Sequence, residues 1–274
     1  MRQSSLSFES FFTYTARTGG SNRESPRSCG IWPSPRRTPP ILNVRDADQK
    51  NYWELHAHGR KWNHPVVSFF VQQRLAYLGR FIDWGGVQNL LDVGCGYGNT
   101  LYYSKENVAH RVGVDRSFAM LSECPQGAGF FTQADVAELP FQESSFDCLL
   151  GWEVLHHLEN PSRAVKEFAR VTRRYVVLFE PTRYNPIQFA FGALDRSERG
   201  TLHFSKKKVE DLLREADLTI LHSAVVGAIF PNRMPTFLLP LVQKVPFDLP
   251  LFGISAVGIG LKEKEAGPST KRGS

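Results

Sequence analysis

Hydrophobic positions change period repeatedly along this chain. Val67, Val71, Leu75, Leu78 and Ile82 recur at helical spacing, which predicts an amphipathic helix over 65–83, stopped by Gly85 and Gly86. Strand and helix signals then alternate. Apolar runs at NLLDVG (89–94), RVGVD (111–115), GFFTQAD (129–135), FDCLLGW (146–152) and RRYVVLFEP (173–181) predict buried strands. A helix is expected after Gly98, and a short one from Ser117. Pro161 opens another, reaching about Thr172, and Ser205 caps one whose inner face is Val209, Leu212, Leu213 and Ala216. LTILHSAVV (218–226) and ISAVGIGLK (254–262) complete seven strands. Apolar strands separated by helices imply an α/β fold with a doubly wound, mostly parallel sheet. The last two strands lack a helical pattern between them and should pair antiparallel at one edge.

The ends of the chain read differently. Residues 1–44 are rich in Ser, Arg, Pro and Gly, with no sustained apolar period. They read as a disordered segment, a targeting segment or a mis-assigned translation start. A single domain is expected over 45–262, followed by a flexible tail, 263–274.

The net charge of +6 suggests nucleic acid until it is located. Six arginines against Glu9 and Glu24 put +4 in residues 1–44, and the tail from Lys262 carries +2. The middle of the chain is near neutral, which disfavours a nucleic-acid-binding core. No apolar run approaches the ~20 residues of a membrane span. Cys29, Cys95, Cys124 and Cys148 form no C-x-x-C pair, so free thiols and a cytoplasmic location are expected. His56, His58 and His64 lie close together, but no recognisable metal-ligand spacing completes them, and they read as a polar surface segment.

Chemistry concentrates at three successive strand ends. Asp92-x-Gly94-x-Gly96-x-Gly98 lies between a strand and a helix, where doubly wound sheets bind ligands. Glycines there permit positive φ and close approach of a ligand to the backbone. Asp115 ends the second strand, where a carboxylate can accept from both hydroxyls of an adenosine ribose. Asp135, ending the third, can accept from an adenine amine. A nicotinamide fingerprint, G-x-G-x-x-G, would need glycine at position 99, which is Asn99.

The text LLDVGCGYGNT, VGVDRSFAML, ADVAELPFQESSFDCLLGWEVLHHLENP and YVVLFEPT resembles the class I methyltransferases, in particular the type 11 group with the ubiquinone/menaquinone C-methyltransferases. The resemblance covers roughly residues 88–182 and implies a Rossmann-like fold and S-adenosyl-L-methionine as cofactor. It places Asp92, Gly94, Gly96 and Gly98 along the methionine portion and Asp115 on the ribose. Arg116, Asp135 and Val136 fall by the adenine, and Trp152 near the sulfonium. Glu153, His156 and His157 face the acceptor, and Tyr52 and Trp53 resemble a flap over the cofactor. If the acceptor needs a base, His156 or His157 is the candidate; the alternative is that both only pack the turn.

Two long connections, 182–204 and 227–253, are strongly apolar. Such residues should be buried, in a homodimer interface or small subdomain, in an acceptor pocket, or in peripheral membrane contact. The expected function is methyl transfer to a small, hydrophobic acceptor. Protein or RNA methylation, and cofactor binding without catalysis, are the alternatives.

Overall fold

The computed structural model describes residues 60–227, 234–248 and 253–263. The expectations for residues 1–44, the flap at Tyr52 and Trp53, His56, His58 and the tail beyond 263 lie outside the described residues. Helix α1 spans Pro65–Leu78. Pro65 suits a first turn, where its missing N–H goes unneeded, and His64 Nδ1 accepts from the Val66 N–H at 3.2 Å. His64 is therefore a cap. The helix ends four residues earlier than its apolar period suggests, at Gly79, whose N–H bonds the Leu75 carbonyl. It is also apolar on two sides. Val67, Val71, Leu75 and Leu78 pack on the sheet, while Val66 and Phe70 meet Met234 and Val242 from the second long connection.

The alternating pattern continues as β1 (Asn89–Val93), α2 (Asn99–Tyr103), β2 (His110–Asp115), α3 (Phe118–Leu121), β3 (Phe130–Gln133) and β4 (Phe146–Trp152). It goes on with α4 (Pro161–Val171), β5 (Thr172–Pro181), α5 (Pro186–Leu194), α6 (Lys206–Glu215), β6 (Thr219–Val226), α7 (Leu239–Val242) and β7 (Ser255–Leu261). The sheet has seven strands in the order β3-β2-β1-β4-β5-β7-β6. The first five are mutually parallel. β7 runs antiparallel to both β5 and β6, so the last two strands form an antiparallel pair at one edge of the sheet, with β7 slotted in as a hairpin-like return.

Alternation along each strand sends side chains to two cores. Leu91, Val93 and Leu149 pack under α4 and α6 with Phe168, Leu212 and Leu213. Leu90, Leu150, Val177 and Phe179 pack under α1 and α2 with Leu78 and Leu101. Helices on both faces leave the carboxyl ends of the parallel strands as one open edge, which is where the first three loops converge.

Within the single chain, the connection 182–204 buries few of its large apolar side chains. It folds into α5 and a 3₁₀ segment, Arg196–His203, yet Tyr184, Phe189, Phe191 and Leu194 remain exposed. The reason is how α5 seats. Its buried residue is Gly192, where a Cβ would stand 3.0 Å from Leu202, so the helix rests backbone-first on the 3₁₀ segment and its large side chains point away. In the second connection Met234 and Val242 are buried, as a small core with α1, whereas Phe237 and Leu241 are exposed. No helix among the described residues is long and apolar enough to cross a membrane.

Candidate cofactor and acceptor site

The turn after β1 is built around glycines. Gly94, Gly96 and Gly98 have φ of 68°, 51° and 67°. A Cβ on Gly94 would lie 2.7 Å from Val154 Cγ2, and one on Gly98 2.8 Å from Phe131. Conformation and space together exclude a side chain at Gly94 and Gly98. Asp115 then ties this turn to the next: its Oδ2 accepts the Gly96 N–H at 2.8 Å and its Oδ1 the Ser117 N–H at 2.9 Å. Both oxygens of Asp115 thus serve this corner, and the residue lines the cavity that opens beside it.

Beside it opens a cavity of about 150 Å³. Gly94, Gly96, Asp115, Arg116, Ser117, Met120 and Val136 contribute from the first three loops, and Glu153, Val154, His157 and Leu158 from the loop after β4. Of the residues predicted from sequence, Gly94, Gly96, Asp115, Arg116, Val136, Glu153 and His157 are therefore brought together. The others take different positions.

Asp92 lies beneath the loop, on the same sheet face as Leu90, and is buried. Burial first, and the nearby Asp115 carboxylate second, push its pKa up to about 8, against the pull of its hydrogen bond with Thr100. Its Oδ1 is buried with no hydrogen-bond partner, which suits a donor arriving from the cofactor side. Gly98 acts as the left-handed N-cap of α2. Asp135 stands two residues beyond the end of β3. Its Oδ1 accepts the Ala137 N–H at 2.8 Å and its Oδ2 pairs with Arg116 at 2.9 Å, so it serves the cavity through Arg116.

Trp152 does not line the cavity. Residues 148, 150 and 152 share one face of β4, and Trp152 follows Leu150 toward α1, where its ring meets Phe179 at 5.3 Å and the Arg74 guanidinium sits 4.9 Å above it. His156 is also corrected as a candidate base. It is buried, with Nδ1 2.7 Å from Glu180 Oε2 and Nε2 3.4 Å from Glu198 Oε2. Burial pulls its pKa down, but the two carboxylates outweigh that and push it up to about 9. Held between two carboxylates that favour its charged form, His156 is a poor general base at neutral pH. His157, its ring tilted against that of His156 with centroids 3.9 Å apart, is the member of the pair that reaches the cavity.

Three residues that shape this loop went unpredicted. Glu180, fully buried near the end of β5, accepts the N–H groups of Val154 (3.0 Å), Leu155 (2.8 Å) and His156 (3.2 Å) as well as His156 Nδ1. It was recognisable as the one acid within the apolar run of β5. Arg74 reaches from α1 to Glu153 Oε1 at 2.5 Å, across the sheet-facing stripe where an arginine interrupts the apolar period. Glu153 itself is held at φ 53°, a conformation costing about 1–3 kcal/mol that surrounding contacts must hold. Gly200 lets the 3₁₀ segment rest on this turn, since a Cβ there would fall 1.6 Å from the His156 carbonyl oxygen. Cys95, Cys124 and Cys148 are free thiols, as expected.

Residues 91–179 match the family described as "Methyltransferase domain". The chain is 29% identical over 210 residues to a ubiquinone biosynthesis O-methyltransferase of Hahella chejuensis, covering 66% of this chain and 84% of that protein. It is 27% identical over 143 residues to a 2-methyl-6-phytyl-1,4-hydroquinone methyltransferase of Synechocystis sp., covering 47% of this chain and 45% of the relative; the match thus spans under half of that protein's length. The fold resembles a magnesium protoporphyrin IX methyltransferase of Synechocystis, solved with bound S-adenosylhomocysteine, at a TM-score of 0.55 and 17% identity, over 79% of this chain and 99% of that one. A methyltransferase of Archaeoglobus fulgidus superposes with a TM-score of 0.54 at 16% identity, over 72% and 94%. The glycine cradle, the two-oxygen acceptor of Asp115 and the open oxygen of Asp92 fit the cofactor these proteins share. With residues 91–179 carrying both the match and the cavity's lining residues, that stretch is a class I S-adenosylmethionine-dependent methyltransferase domain of the type 11 group.

Proposed function

We propose that this chain transfers the methyl group of S-adenosylmethionine to a small, hydrophobic acceptor. The observation that carries the reading is the joint lining of one cavity by the glycine turn, Asp115 and the loop after β4. The apolar lining residues, Met120, Val136, Val154 and Leu158, and the printed activities of the quinol and ubiquinone relatives support an acceptor of that class.

The cofactor, when bound, supplies an electrophilic methyl on a sulfonium. The chain's task is then alignment and exclusion of water. Gly94 and Gly96 allow the backbone to be approached, Asp115 would accept from the ribose, and Asp92, with a buried oxygen that has no hydrogen-bond partner, would serve the methionine portion. Glu180 fixes the loop that carries Glu153, Val154 and His157 toward the acceptor. Holding two reactants in register can supply about 7–11 kcal/mol of barrier lowering, so the geometry of this loop matters more than any one group. His157 is the side chain in place to take a proton from a hydroxyl acceptor or an acidic carbon.

Thermal stabilisation of the full chain by S-adenosylhomocysteine, with none by NAD, tests the cofactor. Labelled methyl appearing in an organic-soluble product of an extract tests the acceptor class. Label found only in hydrophilic, protein or RNA fractions would overturn that part.

A further inference from the structure

His156, His157 and Glu198 each present one ligand atom, and these three atoms lie within 4.8 Å of one another at the edge of the cavity. Nothing in the proposed methyl transfer requires this grouping. We infer that the three form a divalent-cation site of the two-histidine, one-carboxylate kind, fitted to zinc-class ions and bordering the acceptor through His157.

The chemistry of the set argues for such an ion. Two imidazoles and one carboxylate are the ligand types of open, catalytic zinc sites, which keep a position for water or substrate. Bonds of about 2.05 Å in a tetrahedron give ligand-to-ligand edges of about 3.3 Å; the His156 Nε2 to Glu198 Oε2 separation is 3.4 Å. One edge thus has close to the required length, and the His157 ring nitrogen, within 4.8 Å of the other two atoms, must approach by at most about 1.5 Å. The outer shell is also in place. Glu180 Oε2 holds His156 Nδ1 at 2.7 Å, which orients the ring so that Nε2 points at the site, the arrangement by which carboxylates commonly fix metal-binding histidines. Glu180 is anchored in turn by three backbone N–H groups. The segment bearing Glu198 is held against this turn at Gly200, so the third ligand comes from an element pressed onto the first two.

The inference rests on the methyl-transfer reading only for its purpose: an ion here would bind an acceptor oxygen beside the cavity and ease its deprotonation, replacing proton transfer to an unligated His157. The ion site itself is tested separately. The untagged full chain, stripped with chelator, is titrated with cobalt(II). Intense visible bands of low-coordinate cobalt, bleached by added zinc, are expected. Glu198→Gln and His157→Gln should each weaken cobalt binding by more than about tenfold, while His64→Gln leaves it intact. Absence of bands in the unaltered chain, or bands unchanged by both Glu198→Gln and His157→Gln, overturns the site, as does a loss confined to His64→Gln. Should Glu198→Gln fail to fold, judged by circular dichroism, His157→Gln alone decides. Stabilisation by S-adenosylhomocysteine, measured in parallel without metal, separates the two ideas: if it persists without cobalt bands, only the ion site fails.

Discussion

Replacing Glu180 with glutamine tests whether one buried carboxylate organises the acceptor loop. Glutamine keeps the shape and one acceptor oxygen, so the bonds from Val154 and Leu155 to Oε1 can persist. The amide nitrogen then faces the His156 N–H and Nδ1, where Oε2 accepted both. Two donors meet a donor. Removing one partner of a buried pair costs about 3–5 kcal/mol, and a stranded buried N–H about 1–3 kcal/mol. These overlap, because the imidazole can shed its proton, so the expected loss is about 3–5 kcal/mol in all. Against a usual global stability of about 5–15 kcal/mol, the variant should fold but be clearly weakened. Urea denaturation at neutral pH reads the loss directly. Stabilisation by S-adenosylhomocysteine should fall as well, since Glu153, Val154 and His157 would lose their common anchor. A cycle with His156→Leu adds a second check: with no imidazolium to neutralise, Glu180→Gln should cost at least about 1 kcal/mol less. A loss under about 1 kcal/mol with full ligand stabilisation would refute the reasoning.

Other outcomes follow from the same geometry. Asp115→Ala should abolish stabilisation by S-adenosylhomocysteine, because it removes both the diol acceptor and the ties to Gly96 and Ser117; an intact thermal shift would contradict the site assignment. Gly200→Ala places a Cβ 1.6 Å from the His156 carbonyl oxygen, so the 3₁₀ segment must lift. Limited proteolysis should then cut within 196–203 faster than in the unaltered chain, and equal rates would count against that contact. Asp92 has a folded pKa raised to about 8. Its stabilising effect is fully present below the unfolded carboxylate pKa of about 4 and is lost as pH rises through about 8. Urea unfolding from pH 5 to 9 should show the unaltered chain losing ground to Asp92→Asn as pH rises, by at most about 4 kcal/mol over that range; a pH-independent difference would show that Asp92 does not titrate in this window.

The central parallel strands β1, β4 and β5 were legible because most of their residues are buried on both faces, which leaves long apolar runs, and the glycine turn was legible because Gly94 and Gly98 admit nothing else. The antiparallel return of β7 was legible from a missing helical period. Other features depended on packing partners distant in sequence. The end of α1 hung on Gly79 rather than on Ile82, which is buried from a turn and so extends the apolar period without extending the helix. Trp152 was assigned by proximity to the strand end, although its parity with Leu150 already placed it on the α1 face. His156 and His157 look equivalent in sequence. Only the carboxylates of Glu180 and Glu198, one near the end of β5 and one on a later segment, distinguish the locked ring from the one at the cavity. The apolar residues of α5 suggest burial by composition, but a single glycine decides which side of that helix faces the protein.

The cavity's lining residues all fall between Gly94 and Leu158, whereas the segments pressed against it from outside, α1 and 182–204, flank that stretch on either side. The cofactor half is thus a contiguous cassette of chain and the covering half is modular. A graft of 182–204 from a relative is expected to leave stabilisation by S-adenosylhomocysteine unchanged, provided it carries an acid at position 198 and a glycine at position 200.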